Sequence, residues 1–170
     1  MQLSDLTFRT ELKPGDLGYI TYRHGAIYKN ECNYGLEFES YVAYGLYEFY
    51  SQYDPDKDRI WLAEHEGKIV GTICLTHRPG NAAQLRFFLL EPEYRGIGLG
   101  KKLMELYMAF YREKGYTSSY LWTTHEQEPA IALYERYGFR LTEEKPSEAF
   151  GKPLIEQRFD LVTEPGLSVS

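Results

Sequence analysis

Apolar side chains recur at three- and four-residue steps in several segments of this chain, a spacing that predicts α-helices. Residues 38–50 and 99–110 show it most clearly, and Gly115 can end the second of these helices. Two more helices are expected. One has Asp16 as its N-cap and ends before residue 33, and the other covers residues 129–137, with a proline in its first turn.

Other segments carry short apolar runs between turn residues, which is the pattern of β-strands. The predicted strands are residues 6–9, 59–65, 68–76, 83–91, 120–122, 139–142 and 155–161. Strand 83–91 carries apolar side chains on both faces, which is typical of a central strand. With the helix after it and strand 120–122 it forms a βαβ unit, so these two strands should be parallel. The last two strands should close the sheet as an antiparallel pair.

Length and composition favour one domain. The chain has 170 residues, of which 43% are hydrophobic, and this suits a single buried core. We expect that domain to cover residues 1–163 and residues 164–170 to form a flexible tail. The sequence contains neither a signal-peptide pattern nor an apolar stretch of about 18 residues. A cytoplasmic protein with no membrane partner is therefore expected.

Charge and cysteine content narrow the function further. The formal net charge of −6 leaves no broad basic stripe, so a nucleic-acid partner is not expected. Cys32 and Cys74 lie too far apart in a chain of this length to suggest a disulfide framework, and buried thiols are the expectation. No Cys or His spacing indicates a metal site.

A glycine-rich segment joins the predicted central strand to the long helix and is the candidate ligand site. Glycines within residues 96–100 allow close approach of the backbone, and the helix start offers free N–H groups and the positive end of its dipole. Arg95, Lys101 and Lys102 add positive charge. The segment is neither G-x-G-x-x-G nor a P-loop, because Lys101 and Lys102 occupy required positions of those motifs. It predicts a phosphate or pyrophosphate site of another class.

Two motifs carry a resemblance to a known family. Arg95-Gly96-Ile97-Gly98-Leu99-Gly100 resembles the R/Q-x-x-G-x-G/A loop of the GNAT superfamily of N-acetyltransferases, and residues 130–139 resemble its A-x-x-L-Y-x-x-x-G-F motif. The two motifs stand in the family's order and separation, so the resemblance covers nearly the whole chain. It implies an α/β (α+β) fold with a mixed, mostly antiparallel sheet of six to seven strands, four helices and one parallel pair at the cofactor site.

The resemblance also implies a reaction. The chain would transfer an acetyl group from acetyl-CoA to a primary amine of a small molecule, an amino acid or a peptide. The alternative is a non-catalytic domain that binds acyl-CoA as a sensor. Sheet-edge dimers are common in such families, so a homodimer is a further expectation.

Roles for single residues follow from the same resemblance. The CoA-binding residues would be Leu89 and Leu90 on a bulged and splayed central strand, then Arg95, Gly96, Ile97, Gly98, Leu99, Gly100 and Lys101 in the loop. Gln127 stands where the family often has an Asn that contacts the cofactor, which leaves that contact open. Tyr134 corresponds to the general acid that protonates the departing CoA thiolate.

The general base and the acceptor site stay open at this level. Gln84 occupies the place of a Glu in histone-acetylating relatives and cannot act as a base. Glu31, His24 and Glu91 are the alternatives, together with a water chain.

Arg86 shares strand parity with Gln84 and Phe88. It would either bind an acceptor carboxylate in a two-pronged way or pair with a neighbouring acid. Tyr28 and Tyr34 lie in a segment that covers the acceptor site in relatives.

One subgroup of the family shows a further resemblance. The matching positions are Arg23-His24-Gly25, Tyr28, Glu31, Tyr34-Gly35 and Phe38-Glu39. They resemble the acetyltransferase domain found behind winged-helix regulators of the multiple-antibiotic-resistance type.

Overall fold

One seven-stranded sheet organises the computed structural model, which describes residues 1–163. The strands are β1 (Thr7–Arg9), β2 (Arg59–His65), β3 (Lys68–Arg78), β4 (Ala82–Leu90), β5 (Ser118–Thr124), β6 (Arg140–Ser147) and β7 (Leu154–Val162). The α-helices of this part are α1 (Asp16–Cys32), α2 (Leu36–Ser51), α3 (Leu99–Glu113) and α4 (Glu128–Arg136).

The strands lie in the order β1-β2-β3-β4-β5-β7-β6. Every neighbouring pair is antiparallel except β4 and β5, which are parallel and joined through α3. The predicted mixed, mostly antiparallel sheet with one βαβ unit is confirmed. The predicted flexible tail, residues 164–170, lies outside the described residues.

Two hydrophobic clusters cover opposite faces of the sheet, which explains why β4 is apolar on both sides. One cluster packs α3 against the sheet through side chains such as Leu103 and Leu85. The other packs α1 and α2 against it through side chains such as Val42 and Phe87. Burying two faces at once gives a central strand the near-continuous hydrophobic sequence seen in β4.

The start of α1 differs from the prediction. Gly15, with φ of 96°, is the N-cap, and Asp16 is the first helical residue. The Asp16 carboxylate instead accepts hydrogen bonds from the Arg9 guanidinium at 2.6 Å and the Lys13 backbone N–H at 2.7 Å. Asp16 therefore ties the segment before α1 to β1, and its assignment as the N-cap was wrong.

The last strands also differ in length from the prediction. β6 runs from Arg140 to Ser147, well beyond the predicted residues 139–142. It is an outer strand of the sheet and nearly all its side chains are exposed, so no hydrophobic alternation marks it in the sequence.

Cys74 is buried in β3, whereas Cys32 is only half-buried at the end of α1, and both are free thiols.

No helix within residues 1–163 is both long and apolar enough to cross a bilayer.

Candidate active site

The sheet opens between its two parallel strands. β4 and β5 pair only where Ala82 to Gln84 lie beside Ser118 to Tyr120, and beyond these residues the strands separate. On the side covered by α1 and α2 this opening forms a cavity of about 110 Å³, lined by residues of α1, α2, β4, β5, α4 and β7. The edge of β4 that faces the opening has no ladder partner there, which leaves backbone groups available to a ligand.

A β-bulge distorts β4 beside this opening. Phe87 and Phe88 stand opposite Ile73 alone, and Phe87 has a positive φ of 54°. The Thr72 hydroxyl donates a 2.6 Å hydrogen bond to the Phe87 carbonyl and holds the bulge in place. The sequence predicted the bulge near Leu89 and Leu90. In the structure the bulge begins two residues earlier, at Phe87, and Leu89 pairs regularly with Thr72 of β3.

The bulge overturns the predicted strand parity. An extra residue reverses the alternation of side chains, so Phe88 leaves the face that Arg86 occupies. Arg86 and Phe87 both lie against Gly45 of α2. Phe88 packs on the opposite face, with its ring centroid 5.8 Å from that of Tyr134. The prediction that Arg86 and Phe88 share a face was wrong, although Arg86 does line the cavity.

The glycine loop presents a row of free amides. Within residues 1–163, the backbone N–H groups of residues 96–101 find no protein acceptor, and the bond from Lys102 N–H to the Gly98 carbonyl is the first of α3. Gly96 and Gly98 have φ values of 81° and 90°, and both are exposed. Six free donors at a helix start form a cradle suited to a phosphate or diphosphate.

Side chains near the loop are less free than expected. Both guanidinium Nη atoms of Arg95 bond the Glu31 carboxylate, at 2.8 and 3.1 Å, and Arg95 also donates to the Leu90 carbonyl. Its charge is therefore largely paired. Lys101 is exposed, with its ammonium 4.0 Å from the Glu105 carboxylate. The anion-binding capacity of this loop thus rests mainly on its backbone.

Tyr134, on α4, also lines the cavity. Its side chain is 5% exposed, and its hydroxyl makes no hydrogen bond to any of residues 1–163. Burial, reinforced by the nearby Tyr28, raises the pKa of Tyr134 well above its usual range. The phenol is therefore protonated at neutral pH and has a proton to give.

His24 lies within α1 and lines the same cavity. Its ring is 3% exposed, and burial lowers its pKa to about 4. Nδ1 lies 2.8 Å from the Ile20 carbonyl, and Nε2 has no hydrogen-bond partner among the described residues. Tyr28 and Tyr34 also line the cavity, with their ring centroids 5.7 Å apart in a stacked arrangement.

The two carboxylates proposed as bases lie elsewhere. Glu31 is bound to Arg95, and Glu91 forms a two-pronged ion pair with Arg23 at 2.7 and 2.8 Å. Neither lines the cavity. A carboxylate held by a guanidinium is a poor proton acceptor, so this geometry disfavours both as the general base.

Arg86 is buried in the cavity wall without a tight partner. The side chain is 10% exposed, and the nearest carboxylate is that of Glu48, at 3.8 Å. Its guanidinium lies over the rings of Phe87 and Tyr41, at 4.7 and 5.6 Å, and makes no hydrogen bond within residues 1–163. Gly45 makes this placement possible, because a Cβ there would lie 2.6 Å from an Arg86 nitrogen.

Sequence reasoning missed the wall contributed by β5 and β7. Trp122, Thr124 and Glu156 line the cavity, and the Glu156 carboxylate has neither a hydrogen bond nor an ion pair among residues 1–163. Only the pairing of Thr124 with Glu156 brings this carboxylate to the site, and no local motif signals that register.

Two predicted polar residues are held by the protein itself. Gln84 accepts a hydrogen bond from Arg78 at 2.8 Å. Gln127 precedes α4, lines the cavity, and contacts the Cys32 sulfur at 3.2 Å.

No group of three potential metal ligands occurs among residues 1–163.

The parallel opening, the bulged strand and the amide-rich loop make this a candidate site for a ligand that carries a phosphate or diphosphate. The model of the acetyltransferase (GNAT) family matches residues 28–139. The chain therefore belongs to the acetyltransferase (GNAT) family.

Named relatives agree with this assignment. The chain is 38% identical over 97 residues to the uncharacterized N-acetyltransferase YjgM of Escherichia coli, covering 55% of this chain and 58% of that protein. It is 36% identical over 115 residues to the 5-NmdU N-acetyltransferase of Pseudomonas phage PaMx11, covering 67% and 76%. The chain spans only 38% to 58% of the lengths of YjgM and of two rat family 8 N-acetyltransferases.

Solved structures confirm the fold. A GNAT acetyltransferase from Staphylococcus aureus superposes with a TM-score of 0.76 at 22% identity, covering 94% of this chain and 99% of that one. A GNAT acetyltransferase from Elizabethkingia anophelis, solved with acetyl-CoA bound, gives a TM-score of 0.65 at 14% identity, covering 93% and 98%. These relatives do not indicate the regulator-fused subgroup, which stays a prediction.

Proposed function

We propose that this chain is an N-acetyltransferase that uses acetyl-CoA as the donor and a primary amine as the acceptor. The observation that carries the proposal is the row of free backbone amides over residues 96–101 at the start of α3, beside the opening between β4 and β5. These residues fit the diphosphate of CoA, because the donors are preorganised and need no side-chain charge. The names of the relatives and the acetyl-CoA-bound neighbour support the same cofactor.

The remaining cofactor contacts follow the open edge of β4. Beyond Gln84 this edge has no partner strand, so backbone groups near Leu89 and Leu90 can bind the pantetheine arm. Gln127, at the start of α4, lies at the opposite wall. We place the reacting end beside the bulge at Phe87 and Phe88, where a backbone N–H can stabilise an oxyanion by about 3 kcal/mol.

Bound acetyl-CoA supplies a thioester whose carbonyl carbon is attacked by an uncharged amine. A C–N bond forms and the C–S bond breaks, so the sulfur leaves with the electron pair and needs a proton. Tyr134 gives its phenolic proton to that sulfur, which its protonated, buried state permits. The proton lost by the amine passes to solvent, and Tyr134 is reprotonated before the next turnover.

Arg86 defines the class of acceptor within this proposal. Its guanidinium is nearly buried, lines the cavity and lacks a close carboxylate. A guanidinium of this kind binds a carboxylate through two parallel hydrogen bonds. We therefore place amino acids, or other small molecules and peptides that carry a carboxylate near the amine, among the substrates.

The proposal is tested with CoA binding and turnover measured on the same protein. CoA should raise the melting temperature, and acetyl-CoA with a panel of carboxylate-bearing and neutral amines should release free thiol. CoA binding without thiol release across the panel would favour the acyl-CoA sensor. Absence of CoA binding would refute both functions.

The predicted homodimer is tested by light scattering on the purified chain.

A further inference from the structure

A buried nitrogen without a partner stands out in the wall of the cavity. The His24 ring is 3% exposed, yet its Nε2 meets no donor or acceptor among residues 1–163. A buried polar atom left unsatisfied costs about 1–3 kcal/mol of stability. Such an atom is rare in folded proteins and is retained most easily where a ligand completes it.

Contacts on the other side of the ring decide what Nε2 can do. Nδ1 lies 2.8 Å from the Ile20 carbonyl, which can only accept, so Nδ1 carries the proton and donates it there. The lone pair of the neutral ring is then on Nε2, which can only accept. The ring is held in this orientation by stacking on Tyr28 at 6.2 Å and by an edge contact with Phe87 at 6.1 Å.

The position of His24 connects it to the reacting groups. Its neighbour Phe87 forms the bulge of β4, and its other neighbour Tyr28 is close enough to Tyr134 to affect the phenol. All four side chains line the same cavity. Because Nδ1 faces the Ile20 carbonyl of α1, Nε2 lies on the other edge of the ring.

We propose that His24 is a positioning residue of the acceptor site, whose Nε2 accepts a hydrogen bond from an N–H of the uncharged acceptor amine. This inference rests on the proposed function. Because Nε2 can only accept, it can bind an N–H of the neutral amine and leave the nitrogen lone pair free for the attack on the thioester. His24 holds this amine near the bulge.

The ring is suited to binding and not to taking a proton. Burial keeps the pKa of His24 near 4, although Glu91 and the bond to Ile20 oppose that shift. An imidazole of such low basicity does not hold a proton released by an alkylammonium. Its contribution is therefore the orientation of the acceptor.

Replacing His24 with Leu tests the proposal, because Leu keeps the bulk and removes the orphan nitrogen. For the acceptor that turns over best, KM should rise about tenfold, as expected for the loss of one buried hydrogen bond. The affinity for CoA should stay unchanged, and the melting temperature of the free protein should stay equal or rise. The Ile20 carbonyl keeps its helical partner in the variant, so no new orphan is created.

Thr21→Val is the matched control. The Thr21 hydroxyl also bonds a carbonyl four residues back, that of Leu17 at 2.8 Å, but Thr21 does not line this cavity. Its KM should match that of the wild type. An unchanged acceptor KM in His24→Leu, or a lower melting temperature with normal KM, would assign His24 a structural role and overturn the proposal.

A second readout does not depend on turnover or on the Leu variant. In protein labelled with ¹⁵N-histidine, the His24 Nε2 resonance should shift when the acceptor amine is added to the wild-type CoA complex. If no amine turns over, glycylglycine at about pH 9 is the probe, since its α-amino group titrates near pH 8 and most of it is then neutral. Absence of a shift at saturating glycylglycine overturns the role of His24. Absence of thiol release accompanied by a shift refutes only the proposed function.

Discussion

The neutral state of His24 predicts a defined loss of stability in acid. The ring titrates near 6.5 in the unfolded chain, whereas burial holds the pKa of His24 in the folded protein at about 4. Between these two values the unfolded state binds more protons than the folded state. The free energy of unfolding therefore falls as the pH drops through this window and stops changing, for this group, below about pH 4.

The magnitude follows from the width of the window. Each pH unit between the two pKa values contributes about 1.4 kcal/mol, so at pH 5 the His24 contribution to stability is lower than at pH 7.5 by about 2 kcal/mol. His24→Leu lacks this group and should lose about 2 kcal/mol less than the wild type over the same interval. Lowered pKa values of Asp16, Glu126 and Asp160 also favour the folded state at neutral pH. Their effect is common to both proteins and cancels in the difference.

Urea unfolding at pH 7.5 and pH 5.0 measures this difference directly. Thr21→Val should follow the wild type at both pH values, since it leaves the imidazole in place. Equal pH dependence in wild type and His24→Leu would refute the argument, because it would mean that the buried ring is charged or exposed in the folded protein. Glu91 is the charged group that acts on the pKa of this ring and Tyr28 stacks on it, and both are retained in each protein.

Three further predictions concern the proposed reaction. Tyr134→Phe should lower kcat by about a hundredfold with CoA affinity nearly intact, because only the transferable proton is removed; stopped-flow thiol release measures it, and an unchanged kcat excludes Tyr134 as the acid. Gly98→Val should abolish the CoA-induced thermal shift. The control Gly115→Val, which strains the backbone at the other end of α3, where φ is 70°, should keep that shift. Equal thermal shifts in the two variants would mean that the loop does not bind CoA. Arg86→Ala should reduce kcat/KM about tenfold or more for acceptors with a carboxylate and much less for neutral amines. Equal losses for both groups would contradict the assignment.

The conformation of the glycine loop could be predicted because it depends on local sequence. Three glycines and a helix start within residues 96–100 fix both the backbone shape and the direction of the free N–H groups. Strand and helix order around it also followed from hydrophobic periodicity, since β4 and α3 both bury strong apolar patterns.

The cavity between β4 and β5 could not be predicted in the same way. Its wall combines His24 of α1, Arg86 of β4 and Glu156 of β7, which only the tertiary fold brings together. The bulge at Phe87 moved every later side chain of β4 to the other face, and nothing in the run from Leu85 to Leu90 marks which residue is the extra one. The prediction that alternate side chains of β4 share a face therefore failed at Phe88, while it held for Gln84 and Arg86.

This difference has a physical basis in the two halves of the site. The proposed cofactor side relies on backbone groups, those of residues 96–101 and of the open edge of β4, and a backbone conformation leaves a glycine pattern in the sequence. The proposed acceptor side relies on single side chains, each of which can change without disturbing the loop. Within residues 1–163, no hydrogen bond joins the side chain of His24 or Arg86 to residues 96–101, so substitutions of either should alter the choice of amine while CoA binding stays intact.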